Sequence, residues 1–376
     1  MKKFAVAIVL SLWTGAAAAQ LSGGIQVATL LDDNAFNNYL QIDDRLTEVS
    51  LQGAYDWETE TSNVQLFYSA TLDYFALLPS RSFQVHSSGL VFSHILEEDE
   101  QTLVNAGGTF TLRDNRDDFT IYDHSQISLY GNLRSYLSEV LRMSAGYTFR
   151  SVWFSEWSEL DYLEHTLFIQ SAISLPTRTT FILQADLGFK DYTTPNPTDS
   201  GSAGPARRMG SRGTEAATPG VTQLSGSLRI GQGLAERTGL SLTASYQVSL
   251  AKESRYLSFE AGLLTDDEIF DDHYGYDGPL VSLMLTQILP ADFRVRASGS
   301  LQERRYSERP AFDLLGQQVA SQRVDTRSVL SLSLDKSFPS LGLQASLAYD
   351  HIINSSNDEF YTYRNNAVSL TLSLSH

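Results

Sequence analysis

The sequence predicts an all-β chain, an antiparallel up-and-down transmembrane β-barrel of about 16 strands within a range of roughly 12 to 18. Three observations carry that reading. Apolar residues alternate with small polar ones in segments of about 10 to 15 residues, the length a tilted strand needs to cross a bilayer. Beyond the N-terminus, no apolar stretch approaches the roughly 20 residues of a spanning helix. One set of connections between segments is short throughout, and the long loops all fall in the other set.

The first residues, MKKFAVAIVLSLWTGAAAAQ, combine Lys2 and Lys3, an apolar run from Phe4 to Trp13 and a small-residue exit at Ala17-Ala18-Ala19. This is the layout of a secretory signal. It predicts a signal peptide over 1–19, cleavage after Ala19, and a single barrel domain over 20–376. Export to an oxidising compartment permits disulfides, yet the chain has no cysteine, which excludes disulfides and thiolate metal sites. The formal charge of -17 becomes two units more negative once Lys2 and Lys3 are removed. A chain this acidic is a poor nucleic-acid partner, because that affinity comes from basic residues on phosphate. An aromatic content of 11% argues against disorder.

In chain order the alternation predicts strands at 21–31, 46–57, 63–75, 83–96, 101–113, 118–132, 139–153, 161–174, 179–190, 221–233, 239–250, 279–289, 292–306, 323–336, 341–352 and 361–375. One set of connections is short throughout: ETETS at 58–62, EEDE at 97–100, YLSE at 136–139, LPTRT at 175–179, LAERTG at 234–239, LPAD at 289–292 and FPSL at 338–341. The other set includes the long 32–45, 191–220, 251–278 and 307–322. Short inner turns with long outer loops are the asymmetry of bacterial outer-membrane barrels, and a sandwich has no reason to sort its loops this way.

The two faces sort as lipid and lumen would. In VSLTLSLSH the outward set is Val368, Leu370, Leu372 and Leu374, and the alternate positions are Ser and Thr. The segment 239–250 sets Leu240, Leu242, Ala244, Tyr246, Val248 and Leu250 against Ser241, Thr243, Ser245, Gln247 and Ser249. Tyr55, Trp57, Tyr68, Tyr74, Tyr147, Phe149, Trp153 and Tyr349 share the outward phase and are candidates for the interfacial aromatic girdle.

The ending SSNDEFYTYRNNAVSLTLSLSH (355–376) resembles the last outer loop and closing strand of proteobacterial outer-membrane barrels, especially those related to the surface lipoprotein assembly modifiers. The resemblance implies an outer-membrane barrel. Those relatives usually place a periplasmic helical-repeat domain ahead of the barrel and end on an aromatic residue. Here none is expected before Leu21, and the chain ends Ser375-His376. The expectation taken from the resemblance is therefore the barrel rather than lipoprotein translocation.

VHSSG (85–89) is the one enzyme-like pattern, since outer-membrane lipid hydrolases place a His-x-Ser pair on the lipid side of a strand. His86 and Ser88 have that phase, but Gly89 follows and no orienting carboxylate or amide is evident, so no catalytic residue is predicted. DDEIFDDHYGYDG (266–278) has oxygen ligands without the spacing of a calcium loop, and is expected to be a solvated outer loop. No metal or cofactor is predicted. Arg142, Arg150, Arg229, Arg294, Arg296 and Arg304 share the inward phase with Glu48, Asp56, Asp73, Glu164, Asp186 and Asp350. Opposed charges of this kind either set the selectivity of a pore or pair and plug it. Arg207, Arg208 and Arg212 in the loop 191–220 are candidates for a constriction folded against Asp186 or Glu164.

The expected function is non-enzymatic: a porin-like channel for small solutes or ions in the outer membrane of a Gram-negative bacterium. The alternative is an interaction or assembly barrel that binds a partner or surface polymer through its outer loops. Expected partners are outer-membrane lipid, lipopolysaccharide and, during biogenesis, the barrel-assembly machinery.

Overall fold

A computed structural model describes residues 18–96, 102–194, 220–252, 273–307 and 309–375. The expected signal peptide, apart from Ala18 and Ala19, lies outside the described residues. The strands are Ala18–Asp32 (β1), Asp44–Glu58 (β2), Ser62–Phe75 (β3), Phe83–Ile95 (β4), Thr102–Asn115 (β5), His124–Tyr136 (β6), Leu141–Phe154 (β7), Tyr162–Leu175 (β8) and Thr179–Tyr192 (β9). They continue with Gly220–Ala235 (β10), Thr238–Lys252 (β11), Gly278–Ile288 (β12), Arg294–Tyr306 (β13), Ala311–Phe312 (β14), Gln318–Ala320 (β15), Arg323–Phe338 (β16), Leu343–Ser356 (β17) and Tyr363–Ser375 (β18). All but β14 and β15 form one closed antiparallel barrel in chain order, in which β18 pairs with β1. The remaining two make a small hairpin within the connection 307–322.

Alternation fixes the wall. On β18 Val368, Leu370, Leu372 and Leu374 are exposed on the outside, as are Leu242, Tyr246 and Leu250 on β11. The inward side carries cross-strand bonds among small polar groups. Ser50 bonds Thr71 at 2.9 Å, Ser87 bonds Thr111 at 3.0 Å, and Asn105 joins Ser93 to Asn132 at 2.8 and 3.0 Å. Six inner strand ends present an exposed leucine in outward phase, at Leu96, Leu137, Leu175, Leu234, Leu289 and Leu341. They mark the inner edge of the apolar band. At the same edge the Lys336 ammonium lies 4.9 Å from the Phe293 ring centre and 5.6 Å from that of Phe338. It also donates to the Ala291 carbonyl, so the charge sits at the interface while its stem covers apolar surface.

One strand begins later than its alternation suggests. Residues 117–122 form a 3₁₀ turn, and β6 starts at His124. The Asp123 carboxylate accepts from the Asn115 backbone N–H at 2.6 Å and from its side chain at 2.9 Å, which folds the segment back over the mouth. Its apolar members Phe119, Ile121 and Tyr122 then pack among loops instead of facing lipid.

Leu332 is 52% exposed near the middle of β16, beside the inward Ser331. Leu332→Arg is expected to destabilise the barrel by about 2–4 kcal/mol, the cost of a cation on the lipid face at mid-depth. Ser331→Arg should cost far less, because water solvates it. Urea unfolding in detergent micelles, followed by heat-dependent gel mobility, checks the difference.

Candidate functional site

All twelve charges assigned inward by alternation take that phase in the barrel, and three sectors of it carry one sign each, separated by the mixed strands β8–β9 with Glu164, Asp186 and Lys190 and β16 with Arg323, Asp325, Arg327 and Asp335. From β17 through β18 to β4 the inward charged residues are Asp350, Asp32, Asp44, Glu48, Asp56, Glu58 and Asp73; among the described residues no Lys or Arg has that phase there. On β5–β7 they are Arg113, Arg134, Arg142 and Arg150, with no acid. On β10–β13, among the described residues, they are Arg229, Arg294, Arg296 and Arg304, again with no acid. In the strand order β10 stands eight strands from β2, which sets the wall that carries Arg229 opposite the wall that carries Glu48. Neutral and charged donors tie some of these groups down. Arg296 pairs with Asp335 at 2.7 Å, Asp186 accepts from Gln184 at 2.7 Å, and Arg229 donates to Ser241 at 3.0 Å.

The outer mouth is narrowed by loops. Phe36 from the connection 33–43, Tyr122 from 116–123 and Leu160 from 155–161 are buried against Phe154, Tyr162 and Tyr192 at the strand ends. Arg81 is buried between the rings of Phe36 and Phe75, 4.6 and 4.5 Å from their centres, and donates to the Ala35 carbonyl at 2.6 Å. Carboxylates anchor these loops by accepting backbone N–H groups. Asp44 takes Leu77 at 2.8 Å and Leu78 at 3.0 Å, and Asp161 takes Phe154 at 2.6 Å. Burial pushes Asp161 and Asp358 above the ordinary carboxylate range.

The segment expected to be a solvated tip is corrected here. Of 266–278, residues 266–272 lie outside the described residues, whereas His273–Asp277 turns into the lumen. Tyr274 is buried and donates its hydroxyl to Glu164 at 3.1 Å. Glu164 also accepts from Arg150 Nε at 2.9 Å. The Lys190 ammonium is buried beside them, 4.2 Å from the Tyr162 ring centre. The Tyr276 carbonyl accepts from Gln247 at 2.8 Å, and Asp277 takes the Ser249 N–H at 2.5 Å. Burial, then the Glu164 charge, pushes the Tyr274 hydroxyl well above its usual range and keeps it a neutral donor. Polar side chains of the wall therefore draw this segment inward from four strands, and a hydroxyl, a carboxylate and two cations meet at one level. Arg304 joins the other flank, 4.8 Å from the Tyr276 ring centre.

The constriction candidates Arg207, Arg208 and Arg212 lie outside the described residues. Arg113 and Lys190 were legible by phase at the ends of their predicted strands. Arg134 lies beyond the end of the predicted strand 118–132, whereas β6 continues to Tyr136. Tyr274 carries no periodic signal.

His86 is not poised on Ser88. Its Nδ1 bonds the Tyr68 hydroxyl at 2.7 Å with the rings stacked, and Tyr147 and His165 repeat that arrangement at 2.6 Å on β7 and β8. A Tyr–His pair recurring on the lipid face is a wall feature, and Ser88 has no base aimed at it. His86→Ala and Ser88→Ala should leave lipid turnover by the purified protein at background, which a fatty-acid release assay on mixed micelles checks.

Residues 236–375 match the family model described as surface lipoprotein assembly modifier. No curated protein matches the chain. Among solved structures, the outer membrane protein opdK from Pseudomonas aeruginosa is similar at 9% identity and TM-score 0.51, covering 95% of this chain and 99% of that one. OpdL of Pseudomonas aeruginosa matches at 9% identity and TM-score 0.53, covering 95% and 98%. OccAB3 of Acinetobacter baumannii matches at 11% identity and TM-score 0.52, covering 95% and 99%. At such identities the likeness is one of fold: an outer-membrane β-barrel.

Proposed function

We propose that this outer-membrane β-barrel is a channel for small polar or charged solutes, narrowed at its outer mouth by inward-folded loops. The observation that carries this reading is the segregation of inward acids and inward arginines around a closed barrel of sixteen strands. Barrels of that strand count leave an aqueous lumen, and a transverse field of this kind orients and selects what crosses it. The constriction is Tyr274 over Glu164, Arg150 and Lys190. The chain would reach the outer membrane of a Gram-negative cell through its signal peptide and the barrel-assembly machinery, and stand in lipid and lipopolysaccharide.

The family match over 236–375 favours a second reading, a barrel that handles a partner. So does the outer hairpin β14–β15, whose connection exposes Leu314 and Leu315.

Purified protein in planar bilayers is expected to conduct. Tyr274→Ala should raise the single-channel conductance, since it removes the ring that spans to Glu164. Replacing Arg229, Arg294 and Arg296 by Ser should move the reversal potential in a salt gradient toward cation preference. No conductance in any of these proteins would select the partner-binding reading.

A further inference from the structure

The inner mouth carries a charged feature that the outer constriction does not use. A cavity of about 440 Å³ opens between the turns 176–178 and 236–237 and the end of β12, with Arg178, Glu236, Arg237 and Thr286 on its walls and Ile288 beside them. Its volume falls in the range of small-molecule sites, roughly 300 to 1,000 Å³. Gly233, Gly239 and Thr286 share the inward phase of Arg229 and Ser241, which places the cavity on the lumen side of the rim.

Two features distinguish it from a scatter of surface charge. Arg178 is held at a φ of 61°, a left-handed conformation that a residue with a β-carbon adopts at a cost. The conformation is held from both sides: Arg178 N–H donates to the Leu175 carbonyl at 3.2 Å, and Gly233 N–H donates to the Arg178 carbonyl at 2.9 Å. Its side chain then lies on Gly233, where an added β-carbon would stand 3.0 Å from Arg178 Cβ and 3.3 Å from its Cδ. The second turn is fixed by Ile288 N–H on the Arg237 carbonyl at 2.9 Å. Among the described residues, neither guanidinium and not the Glu236 carboxylate has a side-chain partner. Two unspent five-donor forks beside one unspent acceptor match a ligand that is anionic at one end and a donor at the other.

We propose that this cavity binds a small oxyanion, phosphate or carboxylate, that also carries an amino or hydroxyl group. The arginines take the oxyanion and Glu236 accepts from the donor. The site stands independently of whether the barrel conducts.

Calorimetric titration of the detergent-solubilised full chain with inorganic phosphate and with phosphoethanolamine tests it. The wild type is expected to bind both. Replacing Arg178 and Arg237 together by Gln should weaken both by about tenfold or more, as loss of charge-assisted bonds does. Glu236→Gln should weaken phosphoethanolamine while leaving phosphate equal or tighter. Gly233→Val keeps every charged group, pushes Arg178 off its seat and should weaken both. Arg116→Gln, on the outer side, should change nothing, and heat-dependent gel mobility certifies the barrel in each variant. No binding by the wild type, or binding unaffected by the double Gln replacement, overturns the site. Conductance of the same preparations keeps the two readings apart. Conduction without anion binding removes this site alone, and binding without conduction removes the channel reading alone.

Discussion

In hydrocarbon no water satisfies an exposed N–H or C=O, each of which costs several kcal/mol, so a sheet in a bilayer must close on itself. Everything else in this molecule follows from the seam where β1 meets β18. Gly24 pairs with Ser375 and the ladder runs to Asp32 opposite Ala367. The outer end of the seam is bolted by side chains of both chain ends. Asn34 donates to the Arg364 carbonyl at 3.1 Å, Asn365 returns a bond to the Asn34 carbonyl at 3.1 Å, and Asp33 takes the Asn366 backbone and side-chain N–H groups, each at 2.6 Å. Asn34 and Asn365 are buried, so these bonds are shielded from competition with water. The contact spans nearly the whole chain, so its loop-closure entropy must be met before the pairing stabilises anything.

Closure divides the side chains between two solvents. The lipid face needs only apolar bulk, and leucine supplies most of it. The lumen face must satisfy its polar groups while leaving room, which is why it is built of Ser, Thr, Asn and Gln bonded from strand to strand. Where a larger side chain enters the lumen, the wall gives way to it. An added β-carbon at Gly188 would stand 2.4 Å from the Tyr274 hydroxyl, so the ring reaches Glu164 because β9 has no side chain at that position. The constriction is thus written in two distant places, a loop tyrosine and a strand glycine.

This explains what was legible in the sequence. Period-two alternation, the two classes of connection and the phase of the twelve lumen charges carry through to the barrel, because a one-residue slip would invert both faces at once. The failures lie where the period stops. Phe119, Ile121 and Tyr122 extend an alternating pattern into a turn, and only the bonds of Asp123 to Asn115 reveal the fold-back. His273–Asp277 read as solvated because its acidic neighbours do, whereas its position depends on Gln223, Gln247 and Ser249 on strands it meets only in three dimensions. The arginines of the inner turns, Arg178 and Arg237, carry no periodic signal, because a short turn has no face for alternation to sort.

The acidity of the chain also acquires a physical role. Carboxylates at the outer end accept backbone N–H groups: Asp44 at Leu77, Asp123 at Asn115, Asp161 at Phe154, Asp277 at Ser249 and Asp358 at Phe360. Each holds a loop in place of a helix or strand that is not there, and its charge is partly offset by the dipoles it accepts. The guanidinium groups of Arg178 and Arg237 at the inner rim have no such partners among the described residues. A small anion that reaches the inner rim therefore meets two guanidinium groups with no side-chain bond to give up, whereas the outer carboxylates that hold the loops are already spent on backbone N–H groups.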